Sequence, residues 1–486
     1  MTSIKLIQDG ADMSLRQQIA LTAKLSAPAI MAQLSTILMQ YIDASMVGRL
    51  GADESASVGL MNSSLWLFWG VCSMFTMGFS VQAAHRLGAK DFSGARSVLR
   101  QGIVACAIAG VLISLLGVAI ALPLPHWLGG DEAICGGASR YFVIFVAALP
   151  ILTMNYLAGG MLRSSGNMKV PGLLNVAMCI LDVIFNFFLI FDTRAINIGD
   201  YVFTMPGAGL GITGAALGTV LSESIIAMIM MWYLVRRQPD LMLRGDEARK
   251  SYKPTRMVLS RAAAIGMPMT AEHIIFCGAQ ITITVIVAPL GVVAIAANAF
   301  AVTAESLCYM PGFGIGEAAT TLCGQSYGAG RYSLVKRFCH LTTFSGMLIM
   351  TLMAVVMYIA APEMMRIMTP VDAIADLGSE VLRIEAWAEP MYAASIVAYG
   401  AFVGVGDTLL PAVMNFGSIW LVRIPLAALM APQMGLRGVW IAMCIELVFR
   451  GIIFLWRMRT GHWLKIESKK KNAYVDPEGE AWLDND

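Results

Sequence analysis

Acidic side chains within long apolar stretches are the residues of this chain best suited to do chemistry. Asp43 follows Gln33, Thr36 and Gln40 at steps of 3, 4 and 3, so one face of a single helix carries all four residues. An acid in a membrane-spanning helix costs roughly 2.5–3.5 kcal/mol on insertion scales, so it normally faces water or a partner. The pattern predicts an ion or proton site at Asp43. The alternative is a structural acid, salt-bridged or at headgroup level.

A second acid, Asp182, shares a helical face with Asn175 and Asn186 at steps of 7 and 4. If its helix meets that of Asp43, burial and mutual repulsion would keep a proton on one of the two carboxylates. The same oxygens also suit Na⁺, so the coupling ion stays open between H⁺ and Na⁺. The predicted coupling group is Asp43, Asp182, Asn175, Asn186 and Gln40, and the alternative for Asp182 is an interfacial cap.

Further polar residues lie in later apolar stretches. Glu272 and His273 follow Pro268 by one turn, and Glu272 lies about 100° away from the stripe that starts at His273, so we expect it to face a neighbouring helix. Glu305, Glu385 and Glu389 are acids in the eighth and tenth apolar stretches. The predicted substrate or cavity residues are Gln33, Thr36, Glu272, His273, Gln280 and Glu389. Whether Glu272 and Glu389 form a second ion site is not decided by the sequence.

Two other charge groups are interpreted as structural. Glu446 and Arg450 are four residues apart and can pair within one helix, with Arg423 as a third member. Glu380 and Arg383 invite the same interpretation. No metal centre and no enzyme cofactor are expected, and the chain contains neither a nucleotide-binding GxxxxGK[ST] nor an HExxH sequence.

The elements that must position these residues are membrane helices. Of 486 residues, 57% are hydrophobic and only 14% are charged, against about 25% charged in soluble domains. Runs of about 20 or more apolar residues predict twelve spans. They lie near residues 25–47, 56–83, 101–124, 138–161, 170–191, 209–235, 262–287, 293–323, 338–361, 379–402, 409–431 and 437–457. The expected fold is an all-α integral membrane protein.

The chain is an internal duplication. A spacing of 240 residues relates Pro28 to Pro268, Pro150 to Pro390, and further pairs up to Asn175 and Asn415. After the fifth span the spacing drops to 224, because only the first half has an extra loop around residues 191–206. Six spans in each half predict two parallel six-helix lobes. The predicted divisions are 1–17 (N-terminus), 18–240 (first lobe), 241–257 (linker), 258–465 (second lobe) and 466–486 (tail).

Basic residues predict the orientation. Most of the 34 Lys and Arg residues fall in the terminal segments and the even-numbered connections, and this bias is typical of cytoplasmic segments. We therefore expect both termini to be cytoplasmic.

Several strings resemble one transporter family, over roughly residues 15–465. The segment 42–51 (IDASMVGRLG) resembles the end of the first helix in multidrug and toxic compound extrusion (MATE) transporters of the MOP flippase superfamily. Pro28 looks like the proline at which that helix bends. Similar repeated loops are found at 87–91, 159–167, 327–331 and 400–407.

The resemblance implies a V-shaped exporter of two lobes, with Asp43 and Asp182 as the first-lobe cation site and Pro28 as a hinge. Two positions depart from the family pattern. Met178 stands four residues before Asp182, where the branch that carries both acids often has Asn. Phe276 lies about two turns beyond Pro268, where another branch has Glu.

The expected function is secondary active multidrug efflux, in which H⁺ or Na⁺ is exchanged for organic, cationic compounds by alternating access. The alternatives are a flippase of lipid-linked precursors and an exporter of an endogenous metabolite. We expect a multi-pass protein of the cell inner membrane, not an enzyme, and a monomer. The expected partners are small organic molecules, the coupling ion and lipid. A net charge of only +2 does not indicate nucleic-acid binding.

Overall fold

A computed structural model of the chain describes residues 4–198 and 201–464. Its first half contains α1 (Lys5–Gln8), α2 (Leu15–Gly48), α3 (Ala52–Gly88), α4 (Phe92–Ile120), α5 (Leu124–Trp127), α6 (Glu132–Ala147), α7 (Leu149–Ser164), α8 (Lys169–Leu189), β1 (Asp192–Ile198), β2 (Tyr201–Ala208) and α9 (Gly211–Arg237). Its second half contains α10 (Asp246–Arg249), α11 (Arg256–Val287), α12 (Val292–Gly328), α13 (Tyr332–Met368), α14 (Asp372–Glu385), α15 (Glu389–Gly404), α16 (Leu409–Ser418), α17 (Ile424–Met434) and α18 (Leu436–Thr460). A 3₁₀ turn follows α11 at Ala288–Leu290, and a π turn joins α16 to α17 at Ile419–Arg423.

The helices of the described residues confirm the predicted membrane spans. Ten segments are each long and apolar enough to cross a bilayer: α2, α3, α4, α8, α9, α11, α12, α13, the continuous segment Leu409–Met434 and α18. The pair α6 and α7 forms an eleventh span that is bent by 46°. By the 240-residue repeat, the pair α14 and α15 is the counterpart of α6 and α7, and it lies where the remaining span, 379–402, is predicted. The protein is an all-α, multi-pass membrane protein of two six-helix lobes.

Prolines set the two breaks within spans. Pro150 lies in the first turn of α7, and Pro390 lies in the first turn of α15. Proline has no backbone N–H to donate, so it is tolerated where a helix begins and interrupts one that would otherwise continue. By contrast, α2 continues without interruption through Pro28, and α11 continues through Pro268.

Close glycine contacts hold the two halves together. The backbone of α12 at Gly314 meets α2 at Ala29 and Ile30, and α3 at Gly78 meets the Ala262 backbone of α11. A Cβ atom at either glycine would clash with this neighbouring backbone. Small residues allow membrane helices to approach this closely. These contacts lie toward the side of the protein on which α2 begins and α18 ends.

Helix α2 packs on both halves. Near its start, Leu21 and Leu25 belong to the apolar core of the second half, together with Phe338 and Phe402. Farther along, Met39 belongs to the core of the first half. Pro28 therefore lies between a part of α2 that is packed on the second lobe and a part that is packed on the first.

The extra segment of the first half forms a β-hairpin rather than an irregular loop. Strands β1 and β2 pair antiparallel, with Asp192 opposite Ala208 and Ile198 opposite Tyr201. In the second half, Gly435 alone joins α17 to α18, at a positive φ of 61° that favours glycine. This difference accounts for the drop in the repeat spacing.

The connection between the halves is anchored to the first half. The Arg100 guanidinium donates a hydrogen bond of 2.8 Å to Glu247, and Lys250 donates one of 3.0 Å to the same carboxylate. The backbone N–H of Thr255 donates to the Gln101 side chain at 2.8 Å. The predicted tail, residues 466–486, lies outside the described residues.

Candidate ion-binding site and cavity residues

Helices α2, α8 and α9 pack together and bring the first two acids to one place. Asp43 lies on α2, five residues before its end, whereas Asp182 and Asn186 lie one turn apart on α8. The side chains of Asp182 and Asn186 are fully buried, and Asp43 is partly exposed. The convergence that the helical spacing only allowed is therefore present in the structure.

One amide holds both carboxylates. The Asn186 Nδ2 group donates to Asp43 Oδ1 at 2.8 Å and to Asp182 Oδ2 at 3.0 Å. The shared amide brings the two carboxyl groups close together. Two neighbouring carboxylates that are both ionised repel each other, so this arrangement favours a proton on one of the two.

Two oxygens in this group have no hydrogen-bond donor among the described residues. They are Asp182 Oδ1 and Asn186 Oδ1, and both are buried. Unpaired buried oxygens are costly in a protein interior. Asp182 Oδ1 could take up a proton, and both oxygens could coordinate a small hard cation. The arrangement therefore offers a binding place for either of the two ions left open by the sequence.

Helix α9 adds three polar residues that the sequence analysis did not single out. Thr219 and Ser222 lie beside Asp182, although their hydroxyl groups donate to backbone carbonyls of α9, and Glu223 lies near enough to act on the charge of both acids. The available signal was the string Ser222-Glu223-Ser224 within the sixth apolar stretch. Gly218 faces Asn186 so closely that a Cβ atom there would clash with the Asn186 amide oxygen.

The other predicted members of the coupling group lie apart from the pair. Asn175 is seven residues before Asp182, about 10 Å along the helix axis, and within the described chain it makes no hydrogen bond to either acid. Gln40 is half-buried and likewise makes no hydrogen bond to the acids in the part of the chain that is described.

Gln33 and Thr36 also do not reach the pair. The Gln33 amide donates to Glu317 of α12 at 3.3 Å, so this part of α2 faces the second lobe. Thr36 donates to the Ala32 carbonyl of its own helix at 3.0 Å. Arg163 of α7 approaches Glu317 at 3.8 Å, so a polar contact joins three helices between the lobes.

Glu272 faces neighbouring helices, as expected from its angular position. Tyr399 donates to its Oε2 atom at 2.5 Å, and Asn415 donates to its Oε1 atom at 2.5 Å. Asn415 is the repeat counterpart of Asn175. His273 contacts the Trp66 carbonyl of α3 at 3.2 Å, and Gln280 is exposed.

Glu389 belongs to a different group of side chains from Glu272. It lies with Glu305 and Glu385, and all three are buried. The idea that Glu272 and Glu389 share one site is therefore not supported by the positions of their side chains. The grouping of Glu389 with two other glutamates was not predicted.

The charges interpreted as structural fall into two cases. Arg450 donates to both oxygens of Glu446 at 2.7 and 2.8 Å, and Arg423 donates to the same carboxylate at 2.9 Å. Glu380, however, pairs with Arg437 at 2.5 Å rather than with Arg383 of its own helix. Arg383 instead donates to the Tyr358 carbonyl at 3.2 Å.

Comparison with known proteins connects this architecture to one family. The profile of the MatE family matches the chain twice, over residues 28–188 and 268–429, in agreement with the internal duplication. The probable multidrug resistance protein NorM of Thermotoga maritima is 25% identical over 444 residues, 91% of this chain and 92% of NorM. The multidrug resistance protein MdtK of Yersinia pestis is 24% identical over 467 residues, 93% of this chain and 96% of MdtK.

A solved structure described as the outward-facing conformation of a multidrug resistance MATE family transporter of the MOP superfamily superposes with a TM-score of 0.84. It is 21% identical and covers 95% of this chain and 99% of its own. The fold is therefore that of the MATE transporters, and the twofold profile match covers most of the chain. The resemblance found in the sequence is confirmed: this protein belongs to the MatE family, whose members are transporters and not enzymes.

Proposed function

We propose that this protein is a multidrug efflux transporter of the bacterial inner membrane that exchanges a cation for organic, cationic compounds by alternating access. The relatives NorM and MdtK are named as multidrug resistance proteins, which supports export of small organic molecules. The observation that carries the coupling step is the buried pair Asp43 and Asp182, bridged by Asn186.

The proton is the better supported coupling ion. The Asn186 amide holds the Asp43 and Asp182 carboxyl groups close together, where repulsion between two negative charges favours one bound proton. Met178, one turn before Asp182, offers no oxygen to a metal ion. Na⁺ would have to take its ligands from the two acids, from Asn186 and from the hydroxyl groups of α9.

The ion can drive export only if it binds one conformation more tightly than the other. Helix α2 supplies a physical link, because it contacts the second lobe on both sides of Pro28, from Leu21 to Gln33, and carries Asp43 farther along against the first lobe. Proline leaves one backbone hydrogen bond of the helix unmade, so bending costs least at this residue. We propose that ion binding at the pair changes α2 on the Asp43 side of Pro28 and so reshapes the cavity of the first lobe.

Acids supply the charge that organic cations would meet. Glu272 and Glu317 lie on α11 and α12, the helices of the second lobe that pack against α2 and α3. A flippase of lipid diphosphates would instead need cations along its path, since phosphate binds arginine and lysine. The positive bias of the even-numbered connections supports cytoplasmic termini, with both chain ends on the inner side.

The test is transport of a fluorescent organic cation by membrane vesicles under an imposed pH or Na⁺ gradient. We expect a pH gradient to drive export by the unmodified protein, and Asp43→Asn and Asp182→Asn to abolish it. Asp53→Asn, an exposed acid of α3, is the matched control and should transport normally. Gradient-driven export that persists in both variants would overturn the proposal. Export driven only by Na⁺ would overturn the choice of ion.

A further inference from the structure

A short segment before the first span lies across the seam between the two lobes. We call residues 4–9, which include α1, the strap. Toward the first lobe, Ile4 packs against Gly166, where a Cβ atom would clash with the Ile4 side chain. Asp9 pairs with Lys90 at 2.8 Å. Gly166 follows α7 and Lys90 follows α3, so the strap contacts two connections of the first lobe.

The strap also contacts the second lobe. The Arg331 guanidinium, just after α12, donates hydrogen bonds to the backbone carbonyls of Leu6 and Ile7 at 3.1 and 3.4 Å. The Gln8 amide donates to the Gln325 side chain at 3.2 Å. Ile7 is 0% exposed and belongs to the apolar core of the second half. The strap is therefore bound to both lobes at once.

The strap adjoins a close contact between the lobes. Helix α3 ends at Gly88 and α12 ends at Gly328, and a Cβ atom at either glycine would clash with the backbone of the other helix. Gln325 links this contact to the strap, because its amide donates to the Ser164 carbonyl of the first lobe at 2.6 Å while its oxygen accepts from Gln8. The lobes are thus closed on the side where α2 begins, and the strap lies at that closure.

The internal repeat contains a counterpart of the strap. The residues 240 positions after 4–9 are 244–249, and they include α10. Helix α10 precedes the second lobe but docks on the first, where Arg100 donates to Glu247 at 2.8 Å. Each lobe is therefore preceded by a short helix that an arginine of the other lobe holds. Docking of this kind at both positions of the repeat indicates a role in the arrangement of the lobes.

We propose that the strap is a latch that keeps the lobes closed on this side and must detach from one lobe before they can separate there. This inference rests on the proposed function, since alternating access requires this side to open. When the lobes move apart, one short segment cannot keep its contacts with both. Ile7 is buried in the second half, whereas the side chains of Asp9 and Lys90 are 57% and 50% exposed, and exposed ion pairs contribute little. The strap should therefore stay on the second lobe and release the first.

The experiment measures the distance between two spin labels on the purified full-length protein in lipid nanodiscs, with no gradient and no substrate. The labels are attached through S93C and S333C, at exposed positions that are counterparts in the repeat, in a background without the native cysteines. We expect mainly the short distance when the strap is unmodified. I4D/D9K weakens the contacts with the first lobe and should raise the population at longer distances several-fold. D12K is the matched control, since Asp12 is exposed and lies outside the strap, and it should leave the distances unchanged.

R331Q tests the contacts with the second lobe, and it provides the comparison if thermal unfolding shows that I4D/D9K does not fold. It should also raise the population of separated lobes, whereas R331K keeps a donor and should restore the closed state. Unchanged distances in the folded strap variants, or an equal change in D12K, would overturn the proposal. Because the distance is measured without transport, failure of the latch and failure of drug export are detected separately.

Discussion

Replacement of Asn186 by alanine tests whether the two first-lobe acids act as one unit. Asn186 is the only side chain among the described residues for which a hydrogen bond to both Asp43 and Asp182 is found, at 2.8 and 3.0 Å. A hydrogen bond to a charged group contributes about 1.5–3 kcal/mol. Alanine removes this donor, so it destabilises the ionised form of the pair relative to the protonated form.

The size of the effect follows from the lost hydrogen bond. Because 1.36 kcal/mol corresponds to one pH unit, a loss of about 1.5–3 kcal/mol moves the midpoint of proton-driven transport upward by about 1–2 pH units. If Na⁺ were the coupling ion, alanine would also remove Asn186 Oδ1 as a ligand, so the apparent Na⁺ affinity would fall. A raised pH midpoint therefore indicates H⁺ as the coupling ion, and a lowered Na⁺ affinity indicates Na⁺.

The assay is the initial rate of export of an organic cation by vesicles, measured across external pH at constant Na⁺ and then across Na⁺ at constant pH. Asn175→Ala is the matched control, since Asn175 is the same residue type on the same helix without a hydrogen bond to the pair. It should leave both profiles unchanged. A normal pH profile in Asn186→Ala, or an equal shift in Asn175→Ala, would refute the view that one amide couples the two acids.

Three further predictions follow from other contacts. Arg450→Met should lower the thermal unfolding midpoint of the purified protein, since breaking a buried ion pair costs about 3–5 kcal/mol. An unchanged midpoint would mean that Arg423 alone compensates the charge of Glu446. Glu317→Gln removes a partly exposed contact between the lobes that is worth about 0–1 kcal/mol. The population of separated lobes, measured from spin-label distances between α3 and α11, should therefore rise at most a few-fold. A collapse of the fold would contradict this expectation. Burial raises the pKa of Glu247, but hydrogen bonds from Lys250 and Arg100 outweigh burial and lower that pKa overall. The linker should therefore stay docked at neutral pH and detach only as the pH falls through this lowered value. Limited proteolysis across pH checks this, and Glu247→Gln should be cleaved readily at every pH.

The helical framework was predictable because hydropathy is a signal carried by every span. All twelve predicted spans coincide with helices or helix pairs, although the helices extend beyond the apolar core. Asp43 lies in the segment 42–51, which resembles the family sequence, and Asp182 is an isolated acid in an apolar helix. Both could therefore be recognised from their neighbours in the sequence. Their contact needed only that two helices of one lobe be neighbours.

The remaining features depend on which helices meet, and helical periodicity carries no information about that. Glu385 and Glu389 are four residues apart, but a helix break separates them, and Glu305 comes from another span. Glu380 was expected to pair with Arg383 by spacing alone, whereas the start of α18 brings Arg437 to it instead. Glu223 is the one acid in its span, so helical periodicity gives it no partner on the same face and does not single it out.

The positions of the acids in the two repeats are complementary. The residues 240 positions after Asp43 and Asp182 are Ile283 and Val422, and the residues 240 positions before Glu305, Glu385 and Glu389 are leucine and phenylalanine. Each lobe thus has acids where the other has hydrocarbon, at different levels of the same fold. An acid that lipid and core disfavour by several kcal/mol needs compensation, which for Glu446 comes from two arginines. Duplication therefore supplied one stable frame twice, and the buried acids occupy different positions in its two copies.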